Sequence, residues 1–270
     1  MKKLLYANGD SFTYGMECLG DRDRREENKD FAYPVELGRL LGIDTVVNAS
    51  YCGAPNEFIF RKTLLDLLEL ESTGTDPKDV FVVIGWSSVC RGEVYLKDML
   101  EEIFKEKKYS EDRMTMVSMP EYADFGTAFM NPGFHQGISF TDGDKRNFFE
   151  ELMPFFLKYV WIDSLEFEKW FVQQQALEGF LRSKGYDFLF FNAVHPFSEL
   201  VCNEVTKALI GNLSKSNYYF PEFFSFANWV DALHAEKKRL MMHPAPEVHR
   251  DFAKLLYDYV IESKLIQDTE

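Results

Sequence analysis

The chain has 270 residues, of which 46% are hydrophobic and 27% charged, so disorder or a fibrous repeat is excluded as its dominant state. Its 30 Lys and Arg stand against 44 Asp and Glu; a net charge of −14 argues against non-specific binding of nucleic acid or an anionic membrane, though not against a small anionic ligand in a local pocket. At this length one α/β domain spanning 1–270 is expected.

In chain order, the apolar run KLLYAN reads as a strand that ends in the Gly-flanked loop GDSFTYG. Helical spacing follows over 33–41, with Gly42 as a stop. TVVNAS, 45–50, reads as a second strand before the turn YCGAPN, and 56–70 as an amphipathic helix broken at Asp76-Pro77. VFVVIGW, 80–86, is apolar throughout, the mark of a strand buried on both faces of a parallel sheet. Residues 87–147 lose this regularity and read as an insertion over one end of the sheet. A long aromatic helical pattern covers 147–183, split or kinked at Pro154. A fourth buried strand is expected at 186–194. Residues 195–235 read as a second, aromatic and irregular insertion, and about 246–265 as the last helix.

Strands alternating with helices imply a three-layer α/β fold, flavodoxin-like, with a mostly parallel sheet and large insertions at the strand C-terminal ends. In such sheets the reactive loops lie at the carboxyl ends of the strands. Here GDSFTYG, NASYCGAPN, GWSS and NAVHP all fall on that rim.

No secretory or spanning segment is expected: the apolar stretch of MKKLLYANGD stops at Asn8 and Gly9, short of the roughly 7–15 residues such a signal needs. Cys18, Cys52, Cys90 and Cys202 form no CxxC pair, so free thiols and a cytoplasmic location are expected. His135, His195 and His234 lack ligand spacing, and neither GxxxxGK[ST] nor GxGxxG occurs, so no metal and no cofactor is implied.

Ser11, directly after the first strand, is the candidate nucleophile. Alone, Gly-Asp-Ser is an ordinary turn. His243, fixed by Pro244 ahead of the last helix, supplies the imidazole base that a serine nucleophile needs. His249 lies within that helix and reads as a packing or helix-surface residue. Asp10 and Arg91, the latter just beyond the third strand, are candidates for holding a polar or anionic substrate group. Arg91 also fits as a packing residue.

GDSF near the N-terminus, a Gly-Asn turn after the second strand, a Gly loop after the third and His-Pro-x-x-x-x-His near the end resemble the SGNH, or GDSL-type, hydrolases. ANGDSFTYG and VVIGWSS are also similar to a branch often seen in phage genomes. The resemblance implies a serine esterase or carbohydrate O-acetylesterase with Ser11 as nucleophile, His243 as base, and an oxyanion site drawn from Ser11, Gly53, Asn56 and Ser87. It implies a small ester or acetylated carbohydrate as substrate, with no nucleic-acid or membrane partner; the oligomeric state stays open.

Two positions depart from the family pattern. Ser87 stands where the family has an oxyanion-donating asparagine, with Asn56 as a substitute donor. Leu240 stands where it has the aspartate that orients the histidine, which leaves a backbone carbonyl or a carboxylate from elsewhere; Asp231 and Glu222 are the nearest acids in sequence. The same departures fit a scaffold that has lost turnover and binds a glycan or a protein partner.

Overall fold

The computed structural model describes residues 2–20, 26–89, 91–95, 127–130, 163–196, 198, 203–213, 217–219, 223–234, 236 and 243–266. The described elements are β1 (Leu4–Asn8), α1 (Ser11–Tyr14), α2 (Tyr33–Leu41), β2 (Thr45–Asn48), α3 (Asn56–Ser72), β3 (Val80–Trp86), β4 (Gly92–Tyr95) and β5 (Thr127–Met130). They continue with α4 (Asp163–Lys184), β6 (Asp187–Asn192), α5 (Glu204–Gly211), β7 (Tyr218–Tyr219), α6 (Phe226–Leu233) and α7 (Pro246–Glu262), with short 3-10 turns at Glu26–Phe31 and Pro77–Asp79.

Five strands form one sheet in the order β2-β1-β3-β6-β7, and every pairing in it is parallel. This is the doubly wound, flavodoxin-like order, expected from alternating apolar strands and helices. Strand side chains alternate between two cores. Tyr6, Val80, Val82, Ile84, Trp86, Phe188 and Phe190 meet α3, α4 and α5 on one face. Leu5, Ala7, Phe81, Val83, Leu189 and Phe191 meet α2, α6 and α7 on the other. The second core is aromatic: the Phe226 and Phe252 rings stack 3.8 Å apart, and Tyr33 stands edge-on to Phe191 and Phe252.

β3 is buried at every position, as its unbroken apolar run requires. α2 ends where Gly42 turns left-handed. The long helix runs over Asp163–Lys184; the preceding part of that reading, with Pro154, lies outside the described residues.

Residues 195–235 depart from the irregular reading. They hold α5, β7 and α6, and β7 pairs with β6, so this segment supplies a fifth strand where four were expected. Two helix starts carry local signals: Asn203 and Thr206 form a reciprocal capping box, and Ser225 caps α6. β7 has two residues, too few for a period-two pattern to show. Of 87–147, the described part after the rim loop is the antiparallel pair β4–β5; most of that segment lies outside the described residues.

Candidate active site

The strand order reverses between β1 and β3, and the crevice beyond their carboxyl ends is where doubly wound sheets place ligands. Ser11 opens α1 immediately after β1, and Ser87 follows β3. α1 is a single turn, ended by Gly15 in the left-handed conformation.

Close backbone approach shapes the nucleophile turn. A Cβ on Gly9 would lie 2.2 Å from Thr13 Oγ1 and 2.8 Å from the Gly85 carbonyl, and one on Gly85 would lie 2.7 Å from the same hydroxyl. Only glycine fits at both strand ends with Thr13 filling the slot. Asn48 Nδ2 donates to the Thr13 carbonyl at 2.9 Å, which ties the β2 end to the same turn. Gly53 occupies the turn after β2 with φ of +79°.

Asp10 is completely buried and organises the rim. Its Oδ1 accepts from the Phe12 amide at 3.0 Å; its Oδ2 accepts from Ser87 Oγ at 3.0 Å and from Arg91 Nη1 at 2.8 Å. Arg91 Nη1 also donates to Ser87 Oγ at 2.7 Å. Asn56 grips the backbone of Ser87 from both sides: its Oδ1 accepts from the Ser87 amide at 2.8 Å and its Nδ2 donates to the Ser87 carbonyl at 3.1 Å.

These contacts revise three expectations. Ser87 directs its single hydroxyl hydrogen at Asp10, so in this geometry it is not an oxyanion donor. Asn56 commits its carbonyl and one amide hydrogen to Ser87, leaving one hydrogen for any ligand. Asp10 and Arg91, the candidates for holding a substrate group, form a buried ion pair with each other.

His243 meets Ser11: its Nε2 lies 2.8 Å from Ser11 Oγ across 232 positions of sequence. The ring leans on Phe12, with centroids 5.3 Å apart. On its far side, Nδ1 lies 3.6 Å from Oε2 of Glu17. The sequence reading missed this carboxylate, which follows the serine by six residues and sits far from the histidine in the chain. Glu17 is 1% exposed and takes a left-handed φ of +66°. A non-glycine residue held there carries about 1–3 kcal/mol of strain, a feature that clusters at functional sites. Asp231 is exposed on α6, while Glu222 and Leu240 lie outside the described residues.

His249 is a packing residue. It is fully buried on α7, and its Nδ1 accepts from the Tyr33 amide at 3.3 Å, joining α7 to the start of α2. Burial, and then the charge of His243, push its pKa down to about 3. Among the described residues no group of three His, Cys, Asp or Glu could hold a metal ion, and no helix is long and apolar enough to cross a membrane.

The model of a family of unknown function, DUF6071, matches residues 16–124. No curated protein matches the chain. Among solved structures, one similar chain is assigned to the lipolytic G-D-S-L family, from Desulfitobacterium hafniense DCB-2: identity 14%, TM-score 0.45, covering 98% of this chain and 99% of that one. The psychrotrophic esterase EstA from Pseudoalteromonas sp. gives 11% identity and a TM-score of 0.43, covering 97% of each chain. A carbohydrate esterase whose active site shows divergent catalytic and non-catalytic binding functions gives 13% and 0.46, covering 97% of this chain and 69% of that one. Likeness at this level carries no information about chemistry.

Proposed function

We propose that the protein is a serine hydrolase acting on an ester, with Ser11 as nucleophile and His243 as base. The observation that carries this is the 2.8 Å contact between His243 Nε2 and Ser11 Oγ at the switch point of the sheet. Hydrogen-bond reach between nucleophile and base is the geometric requirement for activation. In the reaction His243 takes the hydroxyl proton as Oγ bonds to the carbonyl carbon, then passes it to the leaving alcohol. Water repeats the cycle to release the acid. The backbone N–H groups of Ser11 and Gly53 are the proposed oxyanion donors, with the remaining Asn56 amide hydrogen. The substrate class proposed is a small ester, a carbohydrate O-acetyl group included; this rests on the sequence resemblance.

The test is labelling by a fluorophosphonate probe together with hydrolysis of a short-chain aryl ester. Stoichiometric labelling at Ser11, lost in Ser11→Ala, is the expected result; a Ser11→Ala variant that retains most of the hydrolysis overturns the assignment. One observation favours a second reading, a binding protein on the same scaffold: the Ser87 hydroxyl is committed to Asp10. Loss of one oxyanion donor costs about 10²–10³ in rate in other enzymes. Such a protein would leave the probe unreacted.

A further inference from the structure

We infer that Glu17 is the positioning acid of this site, its carboxylate orienting the His243 imidazole toward Ser11 and stabilising the imidazolium formed during attack. The inference rests on the Ser11–His243 reading above. It assigns to the nucleophile's own turn a role that the resemblance would put on the segment just before His243.

Four observations converge. The two ring nitrogens face opposite partners: Nε2 is 2.8 Å from Ser11 Oγ, and Nδ1 is 3.6 Å from Glu17 Oε2. The second distance is an ion-pair distance, suited to charge stabilisation. Glu17 is 1% exposed, and a buried carboxylate requires a compensating environment. Its backbone is held at φ +66°, where a structural role alone would favour glycine. Finally, the turn that carries it is closed onto the nucleophile: the Met16 amide donates to the Ser11 carbonyl at 3.0 Å, and the Gly20 amide to the Glu17 carbonyl at 2.8 Å. Serine and acid are therefore set by one short turn, and the base is brought to both.

The proton inventory is simple. In the proposed cycle the Glu17 carboxylate does not itself take up the proton. When Nδ1 carries the ring proton, Nε2 has its lone pair toward Ser11 and can accept the hydroxyl proton. Among the described residues, the groups facing His243 are Ser11, Glu17, the Phe12 ring and, electrostatically, His249. His249, its pKa pushed down to about 3, stays neutral in the neutral range.

The experiment compares wild type with Glu17→Gln and Glu17→Gly. Glycine removes the carboxylate and suits the left-handed backbone, so it guards against failure of the glutamine variant to fold. Two quantities are measured: the rate of fluorophosphonate labelling at Ser11, and the titration midpoint of the His243 ring by NMR. Removing the anion destabilises the imidazolium, so the midpoint should move to lower pH by about one unit or more. Labelling should slow by about 10²–10⁴-fold, the upper end matching loss of a triad acid. An unmoved midpoint in folded variants overturns the inference, even if labelling slows, because that pattern marks a structural role. Absence of labelling in the wild type removes the hydrolase reading instead; the His243 titration then decides Glu17 by itself.

Discussion

Ser11 and His243 are held in different ways. Ser11 sits in a turn anchored to three strand ends: to β1 through its own chain, to β2 through Asn48, and to β3 through Asp10, Ser87 and Arg91. Almost every side chain from Asn8 to Cys18 is buried. His243 instead enters from outside the sheet, just ahead of α7, with Phe12 beneath it, Glu17 by its far ring nitrogen and α7 docked along α2. The nucleophile side is thus a polar network in which one lost partner leaves another buried and unpaired. The base side is a hydrophobic docking problem. Perturbing the network around Ser11 should cost local order as well as chemistry, whereas perturbing the packing around His243 should appear mainly as stability.

The largest effect expected is on chemistry alone. Ser11→Ala or His243→Ala should each lower ester turnover by about 10⁴-fold or more, the two effects being non-additive because the residues act as a unit. The double variant should fall no further than either single one, and unfolding midpoints should move little. A double variant much slower than both singles would show that the pair does not act together.

Next comes the buried ion pair of the rim. Arg91→Met removes the cation bonded to Asp10, whose side chain is completely buried. Stranding a buried charge in this way destabilises by about 3–5 kcal/mol. Urea unfolding of Arg91→Met beside the double variant with Asp10→Asn measures this. The double variant should regain part of the loss; if it is less stable than Arg91→Met, the Asp10 charge is being compensated elsewhere. Gly9→Ala should rank below it, at about 1–3 kcal/mol of overpacking against Thr13 and the Gly85 carbonyl. Because that strain falls on the nucleophile turn, fluorophosphonate labelling should slow as well, and labelling at the wild-type rate would show that the turn tolerates the methyl group.

The same contrast explains what was legible in the sequence. Strands β1, β3 and β6 announce themselves because a strand covered on both faces is apolar throughout. Ser11 and His243 could be singled out because their loops fall at strand and helix boundaries, where turn chemistry is local. The network around Asp10 was only partly legible. Asp10, Asn56, Ser87 and Arg91 each stood out as rim residues, but which bonds to which depends on the order of the strands, and no spacing rule encodes it. Glu17 was hidden for a related reason. A search for an acid runs along the chain from the histidine, whereas Glu17 lies in the turn that follows Ser11. Its one local signal, a non-glycine residue in a left-handed turn, exists only in three dimensions. In the 195–235 segment the capping signals at Asn203 and Ser225 were present in the sequence, but a crowded aromatic composition masked the helical period.

The smallest effect expected tests the base side. His249 is neutral in the folded protein, its pKa lowered to about 3 chiefly by burial, against about 6.5 when unfolded. Between these values the unfolded chain binds a proton that the folded one refuses, so stability must fall as pH drops below about 6.5. From neutral pH to pH 5 this group alone should remove about 2 kcal/mol, with the loss continuing until about pH 3. The chain has 44 Asp and Glu that also shape the acid limb, so the comparison must be with a variant that keeps the contact without the titration. His249→Asn offers a carbonyl oxygen where Nδ1 now accepts from the Tyr33 amide, and it does not ionise in this range. It should be less stable at neutral pH, because part of a buried ring is lost. Its stability should nonetheless decline less between neutral pH and pH 5, by about 2 kcal/mol. Parallel curves for the two proteins would mean that the imidazole can be protonated in place, and that α7 does not seal its end of the helical layer as tightly as its burial implies.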